Sequence, residues 1–189
     1  MKRILFSLFL SLIFISFVSF SFANEEASSS GDTTSSGANK SVEYTLPYPG
    51  LLADSPLYFL KVTRDRLIEF FIADPVKKAD FYLLQADKRL YEGSLLFDKG
   101  NSKYSMAESV VSKGENYFEK GIAQIHLAKK QNLPVDSLIQ KYRLSSLKHE
   151  EVIKGMMSKS TGDVKGRLSH TQERVHQIRE KLNEFKPQS

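Results

Sequence analysis

PVKKADFYLLQADKRLYEGSLLFDKGNSKYSMAESVVSKGENYFEKGIAQIHLAKKQ, residues 75 to 131, decides the fold. Two series of residues run through it in steps of seven. The bulky series is Val76, Leu83, Leu90 and Phe97, then Tyr104, Val111, Phe118 and Ile125; the small series is Ala79, Ala86 and Gly93, then Ala107, Gly114, Gly121 and Ala128. A seven-residue step returns to nearly the same side of an α-helix, so the spacing predicts two helices, about 75 to 99 and 102 to 131, turning at Gly100-Asn101. Glycine inside a helix costs about 1 kcal/mol relative to alanine, so Gly93, Gly114 and Gly121 need compensation. A recess in every heptad supplies it, because two backbones can then approach closely and the partner's bulky side chains fill the gaps. The expected centre is a tightly packed antiparallel hairpin.

Helix punctuation continues on both sides. Asp74-Pro75 offers an N-cap side chain followed by proline at the first helical position, where its missing N–H does no harm. Asp54-Ser55-Pro56 repeats the device and predicts an earlier helix over 56 to 72 that buries Leu57, Leu60, Leu67, Ile68 and Phe71. A fourth helix is expected from Pro134 or Val135 to just before Ser160, using Leu138, Ile139, Tyr142, Val152, Ile153 and Met156. Asp163 should cap a fifth, with the stripe Leu168, Thr171, Val175, Ile178, Leu182 and Phe185 in strict three-four alternation. That narrow stripe either packs on the bundle, the commoner arrangement, or mediates self-association through this C-terminal helix. No alternating strand pattern interrupts the series. The predicted fold class is all-α, an antiparallel bundle of about five helices forming one domain over 41 to 187.

The N-terminus reads differently. Met1-Lys2-Arg3 is a short positive region, Ile4 to Phe22 carries no charge, and Ser21-Phe22-Ala23 ends in the small-x-small pattern of an export signal cleaved after Ala23. A retained anchor is the rival reading, since a spanning helix needs roughly 17 to 25 residues, and membrane association follows only if the segment is kept. Either way the remainder is expected outside the cytoplasm. No cysteine is present, which excludes a lipid anchor at that site, disulfides and thiolate metal ligands. Residues 24 to 40, NEEASSSGDTTSSGANK, are too polar to offset their ordering entropy and are expected to form a disordered spacer.

Between spacer and bundle lies an extended strap, Leu46-Pro47-Tyr48-Pro49-Gly50, in which each proline fixes φ and biases its predecessor away from helix. One reading is an aromatic-proline recognition surface that includes Tyr44, Pro56 and Tyr58; the other is a structural strap laying Leu46, Tyr48, Leu51 and Leu52 across the open end of the bundle. The segment YTLPYPGLLADSPLYFLKVTRDRLIEFF, from Tyr44, with DPVKKADFYLLQADKRL after it, resembles a bacterial exported domain family of unknown function marked by a Tyr-x-Leu-Pro-Tyr-Pro-Gly-Leu-Leu-x-Asp-x-Pro-Leu-Tyr-x-Leu-Lys signature. The resemblance covers Tyr44 to about Lys130. Proline is common in the family where Ala53 stands, a departure that loosens the turn. It implies an exported helical domain with no assigned reaction.

Chemistry-bearing motifs are scarce. His149-Glu150-Glu151 lacks the second histidine of a zinc-protease helix, and His170 and His176 lie about 120° apart on a helix. The histidines, His126 included, read as solvated, and Asp65, Asp74, Asp80 and Asp87 read as parts of mixed-charge solvated faces. No nucleophile elbow, phosphate loop or dinucleotide fingerprint occurs. No catalytic residue, metal ligand or cofactor is therefore assigned. The body carries the chain's whole net charge of +5, because Lys2, Arg3 and Lys40 cancel Glu25, Glu26 and Asp32. It lacks the concentrated basic stretch of a nucleic-acid binder. The expected function is a non-catalytic exported helical module of the cell envelope, binding an envelope protein or polymer. The alternative is a periplasmic stress-responsive, chaperone-like or metal-responsive helical protein.

Overall fold

The computed structural model describes residues 41–185. The expected signal segment, the spacer and the last two residues of the expected domain lie outside them. Five α-helices follow one another: α1 Tyr58–Phe71, α2 Pro75–Phe97, α3 Tyr104–Lys130, α4 Asp136–Ser158 and α5 Gly162–Asn183, with a single 3-10 turn at Asn101–Lys103. No strand occurs among the described residues.

α2 begins as its sequence dictates. The Asp74 carboxylate accepts the Lys77 backbone N–H at 2.7 Å, and Pro75 takes the first position. The hairpin turns at Gly100, whose φ of 101° belongs to glycine, and the stacked rings of Phe97 and Tyr104, 3.7 Å between centroids, close it. α3 ends in a Schellman motif without glycine. Asn132 takes φ 55°, its N–H reaching the Lys129 carbonyl, while the Leu133 N–H reaches that of Ala128.

The glycines divide their labour. A Cβ on Gly93 would lie 2.3 Å from Val111 Cγ2 and 3.0 Å from the Ala107 carbonyl oxygen; one on Gly114 would lie 3.1 Å from both the Ala86 carbonyl oxygen and Arg89 Cβ. These two recesses seat α2 against α3. Gly121 serves another element, since its Cβ would stand 1.8 Å from Tyr142 Oη on α4, whose hydroxyl donates to the Ala79 carbonyl at 2.7 Å. The recess expected to admit α2 thus admits a tyrosine from the fourth helix, whose hydroxyl hydrogen-bonds the backbone of α2.

Ala79, Ala86, Ala107 and Ala128 are fully buried with the glycines' helices around two apolar clusters. One holds Leu83, Phe118, Ile125, Ile139, Tyr142 and Leu182; the other holds Leu90, Phe97, Val111, Ile153, Leu168 and Val175. The α5 stripe from Leu168 to Phe185 is buried throughout, so the bundle itself covers the surface considered for self-association. Thr161, not Asp163, precedes α5 as its cap residue; Asp163 instead pairs with Arg167 one turn on.

α1 departs most from expectation. It starts at Tyr58 without a side-chain cap, because Asp54 pairs with Lys99 at 2.8 Å and ties its loop to the hairpin turn. The residues expected to be buried, Leu57, Leu60, Leu67, Ile68 and Phe71, are exposed, and the helix buries Lys61 and Asp65 instead.

The Gly121→Ala variant should lose about 1–3 kcal/mol, because a methyl cannot coexist with the Tyr142 hydroxyl. Gly166→Ala, in α5 with nothing within 4 Å of its Cβ, should gain up to about 1 kcal/mol. Urea unfolding of both variants checks the pair of opposite signs.

Candidate functional site

The strap fastens onto the bundle at several points. The Tyr44 hydroxyl donates to Asp87 Oδ2 at 2.6 Å, and the Val42 backbone N–H donates to Glu151 Oε2 at 2.7 Å. Leu46, Leu52 and Ala53 pack against the apolar cluster of Leu90 and Phe97. Pro49 is buried and Pro47 half-buried. Gly50 has φ 74° with open space around it, so the residue is required for its backbone, not for room. Tyr48 is 76% exposed and Leu51 is exposed too. The structural strap expected to lay all four apolar residues on the bundle therefore lays down Leu46 and Leu52 and leaves Tyr48 and Leu51 in solvent, because the prolines on either side of Tyr48 hold the backbone extended. Pro56 is exposed; the Tyr58 ring is half-buried beneath two cations, Lys61 Nζ at 5.4 Å and Arg89 Cζ at 5.2 Å from its centroid.

Beneath the strap lies a polar layer that the sequence reading missed. His149, expected to be solvated, is fully buried on α4. Its Nδ1 meets Glu115 Oε1 of α3 at 2.7 Å and its Nε2 meets Asp87 Oδ1 of α2 at 3.1 Å. The Ser145 hydroxyl also donates to Asp87 Oδ1, at 2.5 Å. Burial alone would pull the imidazolium's pKa down; the Glu115 and Asp87 carboxylates outweigh it and hold the ring's pKa up, to about 9. Burial and the same Asp87 carboxylate push the Tyr44 phenol well above its usual range. Asp87 and Asp65 are thus core groups, whereas Asp80 is exposed, as is the capping Asp74.

A second buried cluster joins α1 to α2. Lys61 Nζ donates to Glu92 Oε2 and to the Leu51 carbonyl, each at 3.0 Å, and Arg89 Nη1 donates to the same Glu92 oxygen at 2.9 Å. Glu69 adds an outer contact, accepting from the Tyr82 hydroxyl at 2.7 Å and from Lys120 at 3.1 Å. These polar partners decide which side of α1 faces inward.

Chemically, the Asp87–His149–Glu115 group is closed. As imidazolium, His149 uses both N–H groups on carboxylates and keeps no lone pair for a metal or for accepting a proton. Three shallow surface depressions include one lined by Val76, Asp80, Leu138 and Lys141, and none of the three contains Asp87, Glu115 or His149. A signal for His149 was present in the sequence. Leu138, Tyr142, Ser145, His149, Val152 and Met156 step by four and three alternately, which puts the ring on the buried stripe. Its partners on α2 and α3 follow directly after Ala86 and Gly114, on the flank of the seam.

A folded-state pKa above the ordinary 6.5 means that His149 stabilises fully below pH 6.5 and loses that contribution as pH rises through about 9. Unfolding free energy should therefore fall by on the order of 3 kcal/mol across this window, and His149→Gln should abolish the fall. Denaturant titrations at stepped pH, with the imidazole proton shifts of His149 followed by NMR, check it.

The chain matches the family model described as Domain of unknown function (DUF5667) over residues 50–185. The match takes in all five helices and begins at Gly50, past the first half of the strap. No curated protein and no solved structure matches it. With most of its length and the whole bundle inside the match, the chain belongs to this family, a domain of unknown function.

Proposed function

We propose that the protein is a non-catalytic module of the cell envelope, exported from the cytoplasm, that docks an envelope protein or polymer through the proline strap. The observation that carries this reading is the presentation of Tyr48. Its neighbours Tyr44, Leu46, Pro49 and Leu52 are fixed by hydrogen bond or packing, while its ring is 76% exposed between two prolines. A large amphipathic ring on an extended backbone already fixed in place loses little conformational entropy on binding. The groups that acid–base chemistry would use, His149, Glu115 and Asp87, are sealed from solvent and engaged with one another. The positive start, the apolar run to Phe22 and the Ser21-Phe22-Ala23 ending support export.

Capture from an envelope extract on the immobilised full chain should retain a component that Tyr48→Ala loses at least tenfold, with the helical circular-dichroism spectrum unchanged. Equal recovery on both chains would remove the strap as the docking site. Recovery of nothing above background would remove the reading.

A further inference from the structure

An amphipathic helix normally buries its apolar side; α1 does the reverse. At 100° per residue, Phe59, Phe70, Thr63, Leu67, Leu60 and Phe71 fall within an arc of about 120°, and the two terminal phenylalanines are 79% and 78% exposed. Arg66 lies about 20° beyond one edge of this arc and Arg64 about 20° beyond the other, with the exposed Ile68 about 40° further round. The helix cannot roll to hide the apolar side, because Lys61 on the opposite side is buried against Glu92 and the Leu51 carbonyl. Turning it outward would strand a buried carboxylate short of one cation.

We propose that α1 lies in the plane of an anionic lipid bilayer, with Phe59, Leu67, Phe70 and Phe71 among the acyl chains and Arg64 and Arg66 at the head-group level. Three observations select a bilayer over other occupants. An apolar arc bordered on both edges by arginine is the pattern of an interfacial helix, whose cations reach phosphate while the apolar side sinks. A second copy of the chain is disfavoured, since a two-fold contact through this arc would set arginine edges against arginine edges with no acidic side chain on the arc to meet them. The sequence also places an uncharged apolar run, Ile4 to Phe22, before a spacer of 17 residues, which spans at most about 60 Å when extended. With that run retained, α1 is the second of the two contacts that stable membrane anchoring needs; with it cleaved, α1 binds reversibly. None of the side chains placed in the bilayer belongs to the strap, so the two proposed contacts use different residues.

The chain contains no tryptophan, so one introduced tryptophan reports alone. Full-length Phe70→Trp is mixed with phosphatidylcholine–phosphatidylglycerol vesicles, with and without brominated acyl chains; Leu144→Trp, exposed on α4, serves as control. Emission at residue 70 should shift to the blue and be quenched by the brominated lipid, while residue 144 stays accessible to aqueous iodide. Reading depth at residue 70, not partition of the whole chain, keeps the apolar N-terminal run from producing the signal. Adding Arg66→Gln should lower the inserted population about fivefold at low salt. Arg64→Gln should act less, because Asp65 already pairs with that guanidinium at 2.8 Å. Residue 70 open to iodide in the presence of vesicles overturns the proposal. So does residue 70 shielded without lipid and accompanied by a doubled sedimentation mass, which would assign the face to a second copy. Neither outcome bears on Tyr48→Ala capture, so failure of the bilayer contact and failure of the docking reading are told apart.

Discussion

The close approach of α2 and α3 is the constraint from which the rest of the molecule follows. With Gly93 set against Val111 and Gly114 against Ala86 and Arg89, no layer of water fits between the two helices along the seam. Carboxylates on their flanks are then drawn out of solvent, and a buried charge must find a partner or neutralise. Asp87 and Glu115 find His149 from α4, with hydroxyls from Ser145 and Tyr44 completing Asp87. Glu92 finds Arg89 on its own helix and Lys61 from α1. The positions of α4, the strap and α1 are therefore linked to one seam.

That linkage has a consequence for the surface. α1 carries two stripes with helical period, one apolar and one polar, and only one can face the bundle. Hydrophobic burial would choose the apolar stripe, at about 25 cal/mol per Å² removed from water. The pairing of Glu92 chooses the polar one, because turning Lys61 outward would leave this fully buried carboxylate with Arg89 as its one cation and take away half of its charge pairing. Leu57, Leu60, Leu67, Ile68 and Phe71 are left outside as a result. An exposed apolar helix in a protein with a well-filled core is thus a by-product of charge burial at the seam, and it supplies a surface suited to contact with something apolar.

The polar layer also separates the two apolar clusters. Asp87 lies between Leu83 and Leu90 along α2, Glu115 between Val111 and Phe118 along α3, and His149 between Tyr142 and Ile153 along α4. A charged layer in register on three helices penalises a slip of any one of them, since a shifted helix would leave a carboxylate without its imidazolium. The strap fastens to this layer through Tyr44, which couples the segment that presents Tyr48 to the register of the core.

Local signals were enough to determine the all-α class: the heptad series of bulky and small residues for the central hairpin with its turn at Gly100, Asp74-Pro75 for the capped start of α2, and three-four spacing for the apolar stripes of α4 and α5. The need for close approach at Gly93 and Gly114 was legible in the same heptad series. Gly121 shows the limit: its recess is evident in the sequence, but its occupant, Tyr142, comes from a helix 21 residues further on. Only the tertiary structure decided that Asp87 and Asp65 are core groups, that His149, placed on the α4 stripe by its spacing, meets Asp87 and Glu115 there, and that the apolar side of α1 points outward. Spacing shows that two residues share a face of a helix; which face turns inward depends on charges supplied by other helices, and those meet only when the chain has folded.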